Sequence, residues 1–87
     1  MYIEFNLPRG AGGQAAGFVN SILNKHLHAW SDKYSIPYNK KIHKYTVRVT
    51  SDDERTYPFF AMTWMPESKH FESYLLNYRF VEPMNRV

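Results

Sequence analysis

Arg9 stands against a run of small residues, Gly10-Ala11-Gly12-Gly13-Gln14, at the junction of an alternating apolar segment and a long helical pattern. Glycines there let the backbone turn tightly, and the amides opening the following helix could cradle an anion beside the guanidinium. A second set of side chains suits polyanion contact. Lys40, Lys41, Lys44 and Arg48 fall in one segment, Arg79 lies near the C-terminus, and Tyr2 and Phe59 supply rings at strand-like positions. Cations neutralise phosphates and aromatic rings stack on bases, so this mixture is the one single-stranded RNA would use.

The charge is placed unevenly. The net charge is only +3, yet from Asn24 to Thr50 six bases (Lys25, Lys33, Lys40, Lys41, Lys44, Arg48) meet one acid, Asp32. From Ser51 to Val87 four bases meet six acids. A concentrated basic segment in a nearly neutral chain is the footprint of polyanion contact, and equally that of a solvated face.

Other chemistry finds little support. There is no cysteine, which removes disulfides, thiolate metal sites and thiol nucleophiles. His26 and His28 are two residues apart on a helical pattern and project about 200° from each other, so they cannot share a metal. His43 and His70 have no acid at ligand spacing. Asp52, Asp53 and Glu54 sit together in a turn, where such residues serve turn formation rather than acid–base work. No metal, cofactor or catalytic set is expected.

These side chains must be positioned by a small scaffold. Eighty-seven residues with 44% hydrophobic and 17% aromatic side chains can bury one core, so a single domain over residues 1–87 is expected. Tyr2–Leu7 alternates, with Ile3, Phe5 and Leu7 on the core face and Tyr2, Glu4 and Asn6 on the other. Ala15, Phe18, Val19, Ile22, Leu23, His26, Leu27 and Trp30 recur at helical spacing and predict a helix from Gln14 to Ser31. Asp32–Lys40 reads as a loop. Ile42–Thr50 alternates as a second strand, and Phe59–Trp64, entered at Pro58, reads as a third with Phe60, Met62 and Trp64 inward. Pro66-Glu67-Ser68 resembles a helix start, giving a helix to Leu76, with a single strand over Phe71–Val81 as the competing reading. Asn77–Glu82 alternates as the last strand.

The resulting order is βαββαβ: an α+β, ferredoxin-like sandwich with a four-stranded antiparallel sheet and two helices on one face. The open face would carry Tyr2, Glu4, Asn6, Lys44, Thr46, Arg48, Phe59, Thr63 and Arg79. This architecture resembles the RNA-recognition motif. Tyr2–Leu7 is similar to that motif's first aromatic signature with one extra residue, whereas Arg55–Phe60 lacks the glycine of its second.

The glycine run carries three further resemblances. Gly10–Ala15 is similar to the dinucleotide-binding fingerprint, without a parallel βαβ unit or a ribose-holding acid. Gly12-Gly13-Gln14 resembles the tip of peptide-chain release factors. Arg9 with the following amides resembles the phosphate loop of acylphosphatases, which implies a small hydrolase with Asn39 as the partner asparagine. In overall character the chain resembles the small accessory proteins that tailed phages direct against host systems, one group of which inhibits RNA-cleaving toxins. That resemblance implies a partner that is RNA, a nucleoprotein complex or a host defence protein, and a place in the host cytoplasm. Met1 is followed directly by a strand-like run and no apolar stretch is long enough for a bilayer, so neither a leader nor a membrane partner is expected. The expected function is non-catalytic binding of RNA or a nucleoprotein through Lys40, Lys41, Lys44, Arg48 and Arg79, with stacking on Tyr2 and Phe59 and an anion contact at Arg9. The alternatives are a protein-only inhibitor or homodimer using the open face, and the acylphosphatase-like hydrolase.

Overall fold

The computed structural model describes residues 1–10, 13–68 and 70–82. Its elements run β1 (Tyr2–Asn6), α1 (Gln14–Tyr34), β2 (Asn39–His43), β3 (Thr46–Thr50), α2 (Thr56–Thr63), α3 (Glu72–Leu76) and β4 (Tyr78–Val81). The strands form one antiparallel sheet in the order β2-β3-β1-β4, and the helices pack on one side of it. This is the ferredoxin-like α+β arrangement, with three helical pieces where two are expected.

β1 is central and follows the expected alternation. Ile3, Phe5 and Leu7 are buried under the helices, and Leu7 donates its amide to the Tyr45 carbonyl at 2.7 Å. Along α1 the buried residues are Ala16, Val19, Leu23, Leu27 and Trp30, spaced by three or four. The stripe is therefore slightly rotated from the expected one: Phe18 is exposed at its margin, edge-on to Phe71 at 5.3 Å. α1 also runs three residues past Ser31. Ser35 takes a left-handed conformation (φ 54°), and the amides of Ser35 and Ile36 both bond the Ser31 carbonyl. This C-terminal motif satisfies carbonyls the helix cannot use, and Pro37 prevents continuation.

Two expectations fail for one linked reason. Ile42–Thr50 is not a single strand. His43 pairs with Thr46, so Lys44 and Tyr45 form a two-residue hairpin loop joining β2 to β3. Lys44 carries a positive φ of 56°, a conformation in which glycine is the more usual occupant. A turn built on lysine and tyrosine leaves no compositional mark. With the third strand already supplied, Phe59–Trp64 is free to be helical, and Thr56–Thr63 forms α2. Pro58 lies in its first turn, where no amide donor is needed. Phe60 and Trp64, four residues apart, share the inward face, while Met62 is 76% exposed rather than buried. The helix expected from Pro66 begins only at Glu72 and ends at Leu76 as expected; β4 then starts at Tyr78, so the long-strand alternative does not hold.

The core is an aromatic cluster. Phe5 lies 6.2 Å from Phe60, 5.8 Å from Trp64 and 5.6 Å from Tyr78 between ring centroids, and Phe60 stacks on Trp64 at 4.7 Å. Each buried indole N–H has a partner: Trp30 Nε1 donates to Thr63 Oγ1 at 2.9 Å and Trp64 Nε1 to the Leu75 carbonyl at 2.8 Å. Such geometry adds to burial as well as satisfying the polar tips.

Two substitutions test this account. Ser35→Gly removes the left-handed strain and should stabilise the fold by about 0.5–1 kcal/mol. The corresponding rise in Tm is a few degrees for a chain this size, and a lowered Tm would contradict the assigned backbone conformation. Phe5→Ala should cost about 3–5 kcal/mol, read as loss of cooperative thermal unfolding.

Candidate functional site

The face of the sheet away from the helices is the site the geometry singles out. Its organisation follows from register. Lys41 pairs with Arg48, Arg48 with Glu4, and Glu4 with Arg79, so one transverse row crosses all four strands as Lys41–Arg48–Glu4–Arg79. Directly paired residues in antiparallel strands project to the same side, and Glu4 alternates with the core residues Ile3 and Phe5. Neighbouring positions on this face are Asn39, Thr50, Tyr2 and Val81 on one side of the row, and His43, Thr46 and Asn6 on the other.

Glu4 is the centre of the row. Its side chain is only 8% exposed, covered by the arginines on each flank. Arg79 donates to Oε1 from Nε at 2.9 Å and from Nη2 at 2.7 Å, while Arg48 Nε lies 3.9 Å from Oε2. Arg48 also places its guanidinium 4.9 Å from the centre of the Tyr2 ring, a cation–π contact. Both arginines are thus tied to this face while their side chains remain well exposed, at 69% for Arg79 and 44% for Arg48. Three cations against one neutralised acid leave this face positive.

The structure separates the remaining candidate residues. Tyr2, Lys41, Arg48 and Arg79 are brought together. Lys44 is exposed in the adjoining hairpin loop, where it lines the groove between α1 and the hairpin on the helix side rather than the row. Lys40 is not on the open face either. One residue from Lys41, it projects to the helix side, where Nζ donates to the Asn20 and Asn24 side-chain oxygens of α1, at 2.8 Å for Asn20. Burial there pushes the Lys40 ammonium below its ordinary pKa. Phe59 is likewise removed from the face, because its segment is helix rather than strand; it packs 5.0 Å from Tyr34 and 6.2 Å from Trp30. Thr63 moves with it. Arg9 lies 5.5 Å over the Tyr45 ring, near the hairpin loop.

Within the glycine run, Ala11 and Gly12 lie outside the described residues. Gly13 has φ 70° and caps α1 without a side-chain bond, while Gly10 would meet Ala15 only at ordinary contact distance if it carried a Cβ. The positive φ of Gly13, rather than close packing against the sheet, is what calls for glycine there. Beyond it a groove of about 560 Å³ opens between α1 and the β2–β3 hairpin, lined in part by Leu7, Gly17, Ile42 and Tyr45.

Glu4 as the organiser of the face is the residue sequence reasoning undervalues. An acid at the centre of an alternating strand with arginines elsewhere is the available signal, but its partners depend on register. No protein-family model matches the chain, and comparison with curated proteins and with solved structures returns no match. Among the described residues no helix is long and apolar enough to cross a membrane.

Adjacent lysines on opposite faces give a direct test of this placement. Arg79→Ala, which strips Glu4 of its closest partner, should lower stability by about 1 kcal/mol, a modest value because the guanidinium is solvent-screened. Lys40→Met probes the helix side. The folded chain holds the Lys40 pKa below its unfolded value of 10.5, so the unfolded state binds more protons between the two values and stability rises with pH there. Denaturation across that alkaline window should show wild type gaining stability relative to Lys40→Met; a difference independent of pH would place Lys40 in solvent.

Proposed function

We propose that this protein is a non-catalytic nucleic-acid-binding module that engages the phosphate backbone of RNA through the open face of its sheet. The observation that carries this reading is the row Lys41–Arg48–Glu4–Arg79, in which register aligns three cations across four strands and a single buried carboxylate orients two of them. Guanidinium groups pre-positioned in this way lose less side-chain freedom on meeting phosphate than free arginines would, and their planar donors match phosphate oxygens. The polar remainder of the face, Asn6, Asn39, Thr46 and Thr50, offers donors and acceptors for backbone and sugar oxygens.

The reading carries a definite salt dependence. Three phosphate contacts correspond to a slope of log K against log salt of about −2 to −3. Lys41→Ala and Arg79→Ala should each weaken binding and reduce the slope magnitude by nearly 1, while Lys40→Met, on the other face, should change affinity less than twofold. Titration of labelled RNA between about 50 and 200 mM salt checks this. Salt-independent binding, or equal losses from Lys40 and Lys41 variants, would remove the reading. Binding of the same face to an acidic protein with none to RNA would transfer the surface to a protein partner.

A further inference from the structure

Resting on the phosphate-binding reading, we infer that the nucleic acid this face accepts is a duplex, held by its two backbones, rather than a single strand laid across stacking rings. Single strands are held on sheets by successive aromatic rings, each stacked base contributing about 1–3 kcal/mol. This face is poorly equipped for that. Phe59 packs within the helical layer, and Tyr78 and Phe80 pair with Phe5 and Ile3 on the core side of the sheet. Among the described residues the face retains the Tyr2 phenol and the His43 imidazole. Their strands are separated by β3, and their rows by the Glu4 row, which puts them about 16 Å apart by sheet geometry. Consecutive bases cannot bridge that distance, and the Tyr2 ring already carries the Arg48 guanidinium at 4.9 Å.

The charge layout points the same way. Lys41 and Arg48 lie on one side of Glu4 and Arg79 on the other, so the strands that carry the outermost cations are three spacings apart, about 14 Å, with the Arg79 guanidinium reaching inward to Glu4. Two backbones facing each other across a groove would meet cations rooted on both flanks, and duplexes offer grooves of this order, about 12 Å for the B-form major groove and the wide, shallow minor groove of A-form RNA. Recognition of this kind reads shape and phosphate rather than sequence, as expected where few base-reading groups are displayed.

The test compares four labelled probes of about 20 nucleotides by fluorescence anisotropy at one salt concentration: an RNA duplex, the matched DNA duplex, and a single strand of each. The expected result is binding of the duplexes at least tenfold tighter than their single strands. RNA and DNA duplexes bound alike indicate backbone charge alone, and a preference for the RNA duplex indicates A-form spacing; both support the inference. Single strands bound as tightly as duplexes overturn it while leaving the phosphate-binding reading intact. No salt-dependent binding by any probe overturns both. Tyr2→Val, which keeps a strand-favouring side chain, should weaken duplex and single-strand binding by the same factor with an unchanged circular dichroism spectrum, because the ring holds Arg48 for either ligand. A loss confined to the single strands would restore stacking on Tyr2 as the mode of binding.

Discussion

β1 has to serve two environments at once, and the rest of the molecule is arranged around that demand. It is the inner strand between β3 and β4, so successive side chains point alternately into the helical layer and onto the open face. Phe5 points one way, into contact with Phe60, Trp64 and Tyr78; Glu4 points the other, into contact with Arg48 and Arg79. A shift of register by one residue would bury the carboxylate in the aromatic cluster and expose Phe5, each at a cost of several kcal/mol. The same alternation therefore specifies the core and the site together.

The aromatic side explains why so small a chain can hold a four-stranded sheet open on one face. Large rings from α1, α2, β1 and β4 and the Trp64 cap of α2 meet within contact distance, and the polar ends of both tryptophans find acceptors without water. Tyr57 adds a tie of another kind, donating to the Met1 carbonyl at 2.8 Å and accepting from the Ser51 amide at 3.0 Å, which fastens the start of β1 to the end of β3. These bonds fix the elements that carry the cationic row. The row in turn needs no support from the opposite side, because Glu4 compensates its closest neighbours while leaving their outer surfaces in solvent.

The division of labour among the basic residues shows why charge counting alone misassigns them. Lys40 and Lys41 are equivalent in composition and adjacent in sequence, yet the pleat sends one to the asparagines of α1 and the other to Arg48. Arg48 and Arg79, 31 positions apart in the chain, become neighbours of the same carboxylate. Surface potential is made by such placement, and a basic segment becomes a binding surface only where strand pairing gathers it.

Local pattern by itself determined what local physics controls: the alternation of β1, the period of α1, a last strand within Asn77–Glu82, and the absence of cysteine chemistry. It also carried the order of elements that makes the fold ferredoxin-like, although the third strand lay within Thr46–Thr50 rather than in Phe59–Trp64. Tertiary structure decided the rest. A hairpin loop on Lys44 and Tyr45 has no glycine or asparagine to announce it, and an apolar run of six residues fits a buried strand or a buried helix equally well until its neighbours are placed. Once β2 and β3 came from one segment, Phe59 was committed to the helical layer and lost to the open face. The pairing of Glu4 with arginines on two flanking strands is set by register, a long-range property that no single stretch of sequence contains.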